Sequence, residues 1–326
     1  MFALKTRYII SIKYEKEKRV KCDMAVYVVA DFLRETRLRK GYTQEEVSYG
    51  ICTPASLSRI ENGAQKPGRL ILEKLFERLG TENNLFNSFV SREEMELYSA
   101  IQELIRNVTD AEIDKIHKQI LIVEKLTENT SDLERQCLLF AKGELIKRKE
   151  KDYSTAIEWL MKAIHITLPD FDGENPLRNN LLTFDEIMII NGIAILHAKS
   201  GNVMTAIQLD MWLKEYMEDK IVDGTMKKAK YPMIIYNLSN WFGNKQCHTE
   251  ALKLADEGIN FCVKYGNLVI LPSLILNKGV ALAELGDIDD ARKYLHQAIT
   301  IFDVMKKEET IQSVLDWCKT RYNLEI

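Results

Sequence analysis

The sequence is poor in the residues that interrupt regular structure. Its 326 residues include only 6 prolines and 15 glycines. So few turn-forming residues argue against disorder, against a collagen-like fibre and against a β-sandwich with many tight turns. Hydrophobic residues make up 46% of the chain and charged residues 29%, which is ordinary for a globular protein. The length is enough for about two domains with a sizeable core.

Cysteines and long apolar runs are also lacking. The six cysteines are far apart and form no C-x-x-C pair, so neither a disulfide framework nor a zinc site has its usual spacing. No apolar run approaches the roughly 18 residues of a membrane span. The apolar stretch Ile9–Ile12 is too short for the core of a signal peptide. We expect a cytoplasmic protein with reduced thiols, no bound metal and no membrane contact.

Common catalytic and nucleotide-binding motifs are absent too. The chain has no G-x-x-x-x-G-K-[ST], G-x-S-x-G, H-E-x-x-H or G-x-G-x-x-G sequence. Its five histidines are scattered, and the neighbours Cys247 and His248 are too few ligands for a metal site. The sequence therefore predicts a protein that is not an enzyme and that carries no cofactor.

Charge is divided unequally along the chain. Residues 1–80 contain 16 Lys and Arg against 10 Asp and Glu, whereas the remainder contains 29 against 38. The net charge of −3 conceals this difference. A basic segment followed by an acidic one points to a nucleic-acid or membrane role for the first part and a different role for the second.

The basic part has the pattern of four short helices. Thr43 followed by Glu46 is a capping box, and Thr53-Pro54 places a cap before a proline that needs no hydrogen bond. The helices are predicted from Val28 to Lys40, from Thr43 to Gly50, from Thr53 to Glu61 and from Leu70 to Leu79. Two short helices joined by a tight glycine turn form a helix-turn-helix, whose second helix can enter the major groove.

The runs GYTQEEV at 41–47 and LSRIENG at 57–63 resemble the phage-repressor (Xre-type) helix-turn-helix family. The turn between them, residues 50–53, is one residue tighter than in phage repressors and is similar to that of Rgg- and PlcR-like regulators. The resemblance implies that Gln44 holds a DNA phosphate and that Ser58 faces the DNA backbone. It also implies that four residues face the groove: Thr53, Ala55, Ser56 and Arg59.

Arg59 is the best candidate for a bidentate contact with guanine, which gives about 1–3 kcal/mol of discrimination. The alternative is a solvated surface arginine, because motif matches carry a risk of false positives. Glu61 is expected to pair inside the bundle. Lys66 and Arg69 follow the motif and are expected to meet phosphates, which sets salt dependence rather than sequence choice.

The first 24 residues form a basic N-terminal extension that we expect to be poorly ordered. One interpretation is an arm that reaches a groove or phosphates. The other is an extension without function, with Met24 as an alternative start.

From Arg92 onward the pattern is helical and repeats itself. A pattern of mostly small residues at offsets of 0, 7, 12 and 19 recurs in registers that begin at Ala194, Ser239 and Gly279, and more weakly in one that begins at Glu144. This is the tetratricopeptide signature, in which small residues lie where two antiparallel helices cross closely. A generic helical bundle with accidental small residues is the alternative.

Asparagines recur in the first helix of successive repeats, where the registers place the concave wall. A carboxamide offers both a donor and an acceptor, so it can bind a peptide backbone whatever the peptide's side chains are. The alternative is that these amides satisfy polar groups inside the stack. The candidate peptide-binding residues are Asn191, Lys199, Tyr236, Asn237, Asn240, Asn244 and Asn277, with Glu284 at a further concave position.

An Xre-type head joined to tetratricopeptide repeats resembles the RRNPP group of bacterial peptide-sensing transcription factors, especially its Rgg- and PlcR-like branch. The resemblance implies a homodimer, double-stranded DNA with a near-palindromic operator, and a short signalling peptide in the concave groove. The alternatives are a ligand-independent DNA-binding repressor and a protein-interaction scaffold. We expect an all-α fold with a right-handed solenoid, divided into an extension (1–24), a helix-turn-helix domain (25–82), a linker helix region (83–108) and a repeat domain for peptide sensing and dimerisation (109–326).

Overall fold

A computed structural model of the chain describes residues 29–81, 92–108, 112–126, 131–177, 181–219 and 224–322. These residues are helical and contain no β-strand, as predicted. The extension 1–24 lies outside them. The helices are 29–39 (α1), Gln44–Ser48 (α2), Pro54–Glu61 (α3), Arg69–Arg78 (α4), Arg92–Asn107 (α5), Ile113–Leu126 (α6), Asp132–Lys149 (α7), Tyr153–Ile164 (α8), Phe184–Lys199 (α9), Val203–Asp219 (α10), Gly224–Asn244 (α11), His248–Tyr265 (α12), Leu271–Glu284 (α13), Ile288–Val304 (α14) and Glu308–Tyr322 (α15).

Helices α2 and α3 of the head begin at the capping residues that the sequence predicts. The Thr43 hydroxyl accepts a hydrogen bond from the Glu46 N–H at 3.1 Å, and the Glu46 carboxylate accepts one from the Thr43 N–H at 2.7 Å. The Thr53 hydroxyl caps α3 in the same way, with Pro54 in its first turn. The apolar faces then meet in one core that includes Leu33, Val47, Leu57, Leu75 and Phe76. The predicted helix-turn-helix is confirmed.

The repeat registers coincide with the observed helix pairs α7–α8, α9–α10, α11–α12 and α13–α14. The residues at offset 7 lie in the turn inside each pair, and all four have positive φ, a conformation that commonly ends a helix. These are Lys151 (55°), Gly201 (92°), Gln246 (62°) and Gly286 (89°). The alanines at offset 12 are buried in every pair: Ala156, Ala206, Ala251 and Ala291. The predicted tetratricopeptide-like pairs are confirmed.

The described residues divide into two compact units. The first lies within Met1–Asp170 and Leu177–Glu186, and the second within Phe171–Pro176 and Ile187–Ile326. The head therefore shares a unit with α5 to α8, whereas α10 to α15 belong to the second unit. None of the helices in the described ranges is long and apolar enough to cross a membrane.

Within the first unit, buried ion pairs join α4 of the head to the first turn of α9. The Lys74 ammonium lies 2.9 Å from the Asp185 carboxylate and 2.9 Å from that of Glu77. The Arg78 guanidinium lies 2.8 Å from the Glu186 carboxylate, and neither side chain is exposed to solvent. Burial raises the pKa of Glu77 to about 7. Because buried charges are costly unless they are paired, these ion pairs fix α4 against residues 185 and 186 within the first unit.

The turn between α2 and α3 is fastened to the end of α8 in the same unit. Gly50 has a φ of +68°, and a Cβ atom placed on it would lie 2.1 Å from the Thr167 carbonyl oxygen. The Tyr49 hydroxyl donates a hydrogen bond of 2.8 Å to the Asp170 carboxylate. The main chain after the first repeat pair, α7–α8, therefore packs directly against the main chain of the turn before α3, the recognition helix of the helix-turn-helix.

Candidate functional site

The exposed face of α3 carries the predicted DNA-contacting residues. Thr53, Ala55 and Arg59 are exposed, and Ser56 and Ser58 are half-buried. The opposite face of the helix is held in the head by buried Leu57 and Ile60. An eight-residue helix anchored in this way can present its first turns to a DNA groove without rearrangement.

Arg59 is oriented by neutral neighbours on the same surface. Its Nε–H donates to the Gln65 side-chain oxygen at 3.0 Å, and its Nη2 donates to the Ser56 hydroxyl at 3.1 Å. Both bonds are solvent-exposed, so a base edge can replace them at small cost. The guanidinium is therefore held above the recognition face, with its fork available for the bidentate contact that guanine offers.

Glu61 is confirmed as a structural residue. It accepts hydrogen bonds of 2.7 and 2.9 Å from the Arg37 guanidinium, and this hydrogen bonding raises the pKa of Arg37 above its ordinary value. Gln44 also donates to the Glu61 carboxylate, at 2.8 Å. The phosphate contact predicted for Gln44 would use the same amide group, so it stays a prediction.

Lys66 and Arg69 lie at the end of the motif and the start of α4. Lys66 is exposed, and Arg69 is half-buried with its guanidinium 3.9 Å from the centre of the Tyr98 ring. Tyr98 belongs to α5, outside the predicted head, and no sequence pattern pointed to this cation–π contact. The predicted phosphate contacts of both residues stay predictions.

The second unit contains a polar cavity of about 550 Å³, within the size range of ligand pockets. Helices α11, α12, α13 and α15 supply its walls. Three of the predicted peptide-binding residues line it together: Asn240, Asn244 and Asn277. Glu284, the further predicted concave residue, lines the cavity as well.

The lining residues that were missed as binding residues include Gln246, His248, Trp317 and Arg321. Gln246 was placed only at offset 7 of a repeat register, and α15 lies after the last complete register. A polar or charged residue on a helix that follows the final repeat is the signal that could have found Arg321.

The cavity's charged groups form one cluster. The Arg321 Nε lies 2.8 Å from one carboxylate oxygen of Glu284, and the other oxygen lies 4.0 Å from the His248 Nε2. The remaining polar lining consists of the carboxamides of Asn240, Asn244, Gln246 and Asn277 and the Ser239 hydroxyl. The described lining residues can therefore hydrogen-bond to a peptide backbone through four carboxamides, and the charged groups among them lie together.

Two of the predicted groove residues are placed differently. Asn191 and Asn237 are buried, and their side-chain amides donate to the Asp210 carboxyl at 3.1 and 3.2 Å. Burial raises the pKa of Asp210 to about 8. These asparagines follow the alternative interpretation, in which amides satisfy polar groups inside the stack. The predicted position of Asn191 and Asn237 on the concave wall is corrected, because both side chains point towards the Asp210 carboxyl of α10 inside the stack.

Lys199 and Tyr236 are not among the lining residues of the cavity. Lys199 is exposed near the end of α9. Tyr236 is half-buried, and its backbone carbonyl accepts a hydrogen bond of 3.4 Å from the Asn277 amide. Tyr236 therefore contributes to the position of Asn277 through its main chain.

Comparison with known proteins agrees with the geometry of the head. Residues 33–82 match the family model HTH_3, described as helix-turn-helix. A stretch of 63 residues is 38% identical to the uncharacterized HTH-type transcriptional regulator YqaF of Bacillus subtilis (strain 168), and it covers 19% of this chain and 83% of YqaF.

The fold of the whole chain is similar to that of Bacillus thuringiensis PlcR. The PlcR structure in complex with the peptide PapR7 and DNA matches with a TM-score of 0.58 at 19% identity, over 88% of this chain and 98% of PlcR. The apo form of PlcR matches with a TM-score of 0.57 at 16% identity, over 89% of this chain and 98% of that one. The chain thus has the fold of PlcR and, through its head, belongs to the helix-turn-helix family of transcriptional regulators.

Proposed function

We propose that the protein is a peptide-responsive transcriptional regulator of the RRNPP group, and not an enzyme. In this proposal the head binds double-stranded DNA in the cytoplasm, and the cavity of the second unit binds a short signalling peptide. The observation that carries the proposal is the convergence of Asn240, Asn244 and Asn277 with Gln246 on one cavity of about 550 Å³. The fold similarity to PlcR, which was solved with a peptide and DNA, supports it.

Four carboxamides suit a peptide better than a compact metabolite. Each amide presents a donor and an acceptor, as each peptide unit does, so the amides can pair with main-chain groups in series. Asn240 and Asn244 lie one helical turn apart on α11, and Asn277 faces the cavity from α13. A peptide between these helices would gain contacts with both, and a change in their packing is the route by which binding could alter the head.

The DNA-bound form is proposed to be a homodimer. Two recognition helices would then meet half-sites about 34 Å apart, so the operator should be a near-palindrome. A peptide that binds one conformation better than another shifts the population. A coupling of about 1–3 kcal/mol between the peptide and DNA sites is enough for regulation.

The DNA-binding part is tested by two substitutions on the head. Operators are first selected from random duplex DNA with the purified chain. Arg59→Ala should lower the affinity for the selected operator by about 1–3 kcal/mol and relax specificity at one base pair. Lys66→Ala should weaken binding to all DNA sequences by a similar factor. It should also reduce the slope of log affinity against log salt concentration by about one, the loss of one phosphate contact. If Arg59→Ala left both affinity and specificity unchanged, Arg59 would be the solvated surface arginine.

The peptide-binding part is tested by titrating operator DNA with and without synthetic peptides encoded by small open reading frames beside the gene. Asn240→Ala and Asn277→Ala should abolish the response to an active peptide and leave basal operator binding unchanged. Asn202→Ala, an exposed turn residue outside the cavity lining, is the control. Operator binding that no peptide alters would favour the ligand-independent repressor.

A further inference from the structure

The cavity of the second unit is uneven in charge. Of its described lining residues, only Glu284, Arg321 and His248 can carry charge, and they lie together where α13, α15 and the start of α12 meet. The amides of Asn240 and Asn244 belong to α11, on another wall. A ligand that pairs its backbone with the amides therefore meets ionic groups at one position only.

Arg321 is the accessible member of this cluster. Its side chain is 56% exposed, whereas that of Glu284 is 17% exposed and that of His248 19%. The contact with Glu284 is made through Nε. A guanidinium has five N–H donors in a planar fork, so one carboxylate contact through Nε does not exhaust its capacity for a second acceptor.

The geometry favours an anion over a cation as the ligand group at this position. A ligand ammonium would need the Glu284 carboxylate, which already lies 2.8 Å from Arg321 and 4.0 Å from His248. A ligand carboxylate needs only the exposed part of Arg321, and Glu284 then serves to orient the guanidinium. Charge-assisted hydrogen bonds of this kind are roughly twice as strong as neutral ones.

We propose that Arg321 receives a carboxylate of the bound peptide, namely its free C-terminus. This inference rests on the proposed function of the cavity and extends it by giving the peptide a direction, with its carboxyl end at α15 and its preceding backbone along the carboxamides of α11 and α13. The carboxamides then bind the peptide main chain whatever its sequence. Arg321 distinguishes a processed peptide with a free C-terminal carboxylate from an internal segment or a peptide with a blocked C-terminus.

The test uses a pooled heptapeptide library that omits Asp and Glu, synthesised once as free acids and once as C-terminal amides. Each pool is incubated with the full chain, and the peptides that co-elute with it are quantified by mass spectrometry. The free-acid pool should be retained about tenfold or more over the amide pool, the effect of losing one charge-assisted contact. A third pool, amidated but containing Asp and Glu, shows whether a side-chain carboxylate can substitute for the C-terminus.

Three variants assign the preference to a residue. Arg321→Gln should abolish the preference for free acids, and Lys319→Gln, an exposed cation on the same helix outside the cavity lining, should keep it. In Glu284→Gln the side-chain amide oxygen can still accept from the Arg321 Nε–H, so this variant removes the charge of Glu284 but not the orientation of Arg321 and should also keep the preference. It separates a contact with the ligand from mere loss of the ion pair. Far-UV circular dichroism verifies that each variant is folded.

The outcomes separate the two proposals. Equal retention of free acids and amides by the unsubstituted chain would overturn the carboxylate site and leave peptide binding standing. A preference that survives in Arg321→Gln, or that only Glu284→Gln removes, would overturn the assignment to Arg321. If the amidated pool that contains Asp and Glu were retained as well as the free-acid pool, Arg321 would bind a side-chain carboxylate, and the proposed direction of the peptide would be overturned. Retention of no peptide from any pool would overturn both the inference and the proposed function of the cavity.

Discussion

Two glycines of the head allow a controlled test of how the head packs against the repeats of the first unit. Gly41 and Gly50 both have positive φ, of +74° and +68°. An alanine at either site should lower the free energy of unfolding by about 1–2 kcal/mol, because the left-handed conformation brings Cβ close to the following carbonyl oxygen. The surroundings differ, since nothing lies within 4 Å of a Cβ on Gly41, whereas a Cβ on Gly50 would lie 2.1 Å from the Thr167 carbonyl oxygen.

The additional loss of stability expected for Gly50→Ala depends on which atoms must move to make room for the new Cβ. The neighbouring atom is main chain, not the end of a flexible side chain, so the turn after α8 or the turn before α3 must shift to relieve the contact. Overpacking of this kind adds about 1–3 kcal/mol. We therefore expect Gly50→Ala to lower the free energy of unfolding by about 2–5 kcal/mol and Gly41→Ala by about 1–2 kcal/mol.

The assay is urea unfolding followed by far-UV circular dichroism, with the denaturant dependence compared so that a change in the cooperativity of unfolding is seen. Gly41→Ala supplies the matched strain without the clash. Equal losses of stability in the two variants, within about 0.5 kcal/mol, the usual error of additivity, would refute the close packing of Gly50 against Thr167. The recognition helix would then be held against the first repeat pair by side-chain contacts alone, such as that between Tyr49 and Asp170.

Two further predictions concern buried carboxyl groups. Glu186→Gln should lower the free energy of unfolding by about 3 kcal/mol or more, because Arg78 would be left buried without its counter-ion. The control is Glu158→Gln, which changes an exposed carboxylate. Equal free energies of unfolding for the two variants in the same urea assay would contradict the buried pair. Burial raises the pKa of Asp210 to about 8, so the folded chain retains a proton that the unfolded chain loses above about pH 4, and stability should fall as pH rises from about 4 towards 8. Asp210→Asn should flatten that decline by about 1 kcal/mol per pH unit, measured by urea unfolding across the range; an unchanged slope would show that Asp210 is ionised in the folded state.

The head shows which features of this protein are encoded locally. The capping box at Thr43 and the proline after Thr53 act within four residues, so their effect on the backbone is the same in any helical surrounding. The turn positions of the repeats are equally local, and Lys151 and Gln246 adopt the left-handed conformation although neither is glycine. These features made the helix-turn-helix and the helix pairs predictable.

The candidate peptide site was predictable only in part. Asn240, Asn244 and Asn277 could be predicted to line the same cavity because the repeat register determines which helix faces are concave. Asn191 and Asn237 have the same residue type and a similar position, yet they are buried because Asp210 lies opposite them. Nothing within a few residues of either asparagine indicates that carboxyl, since it comes from another helix.

The sequence by itself determined the helices, their caps, the turn residues and the family of the head, because these depend on periodicity and on hydrogen bonds between near neighbours. Only the tertiary structure decided which polar groups are buried, how α4 pairs with the first turn of α9, and that α15 adds Arg321 to a cavity built mainly from earlier helices. The physical reason is that burial and charge pairing depend on groups separated by tens to hundreds of residues. Their desolvation is determined only when the helices that carry them pack together.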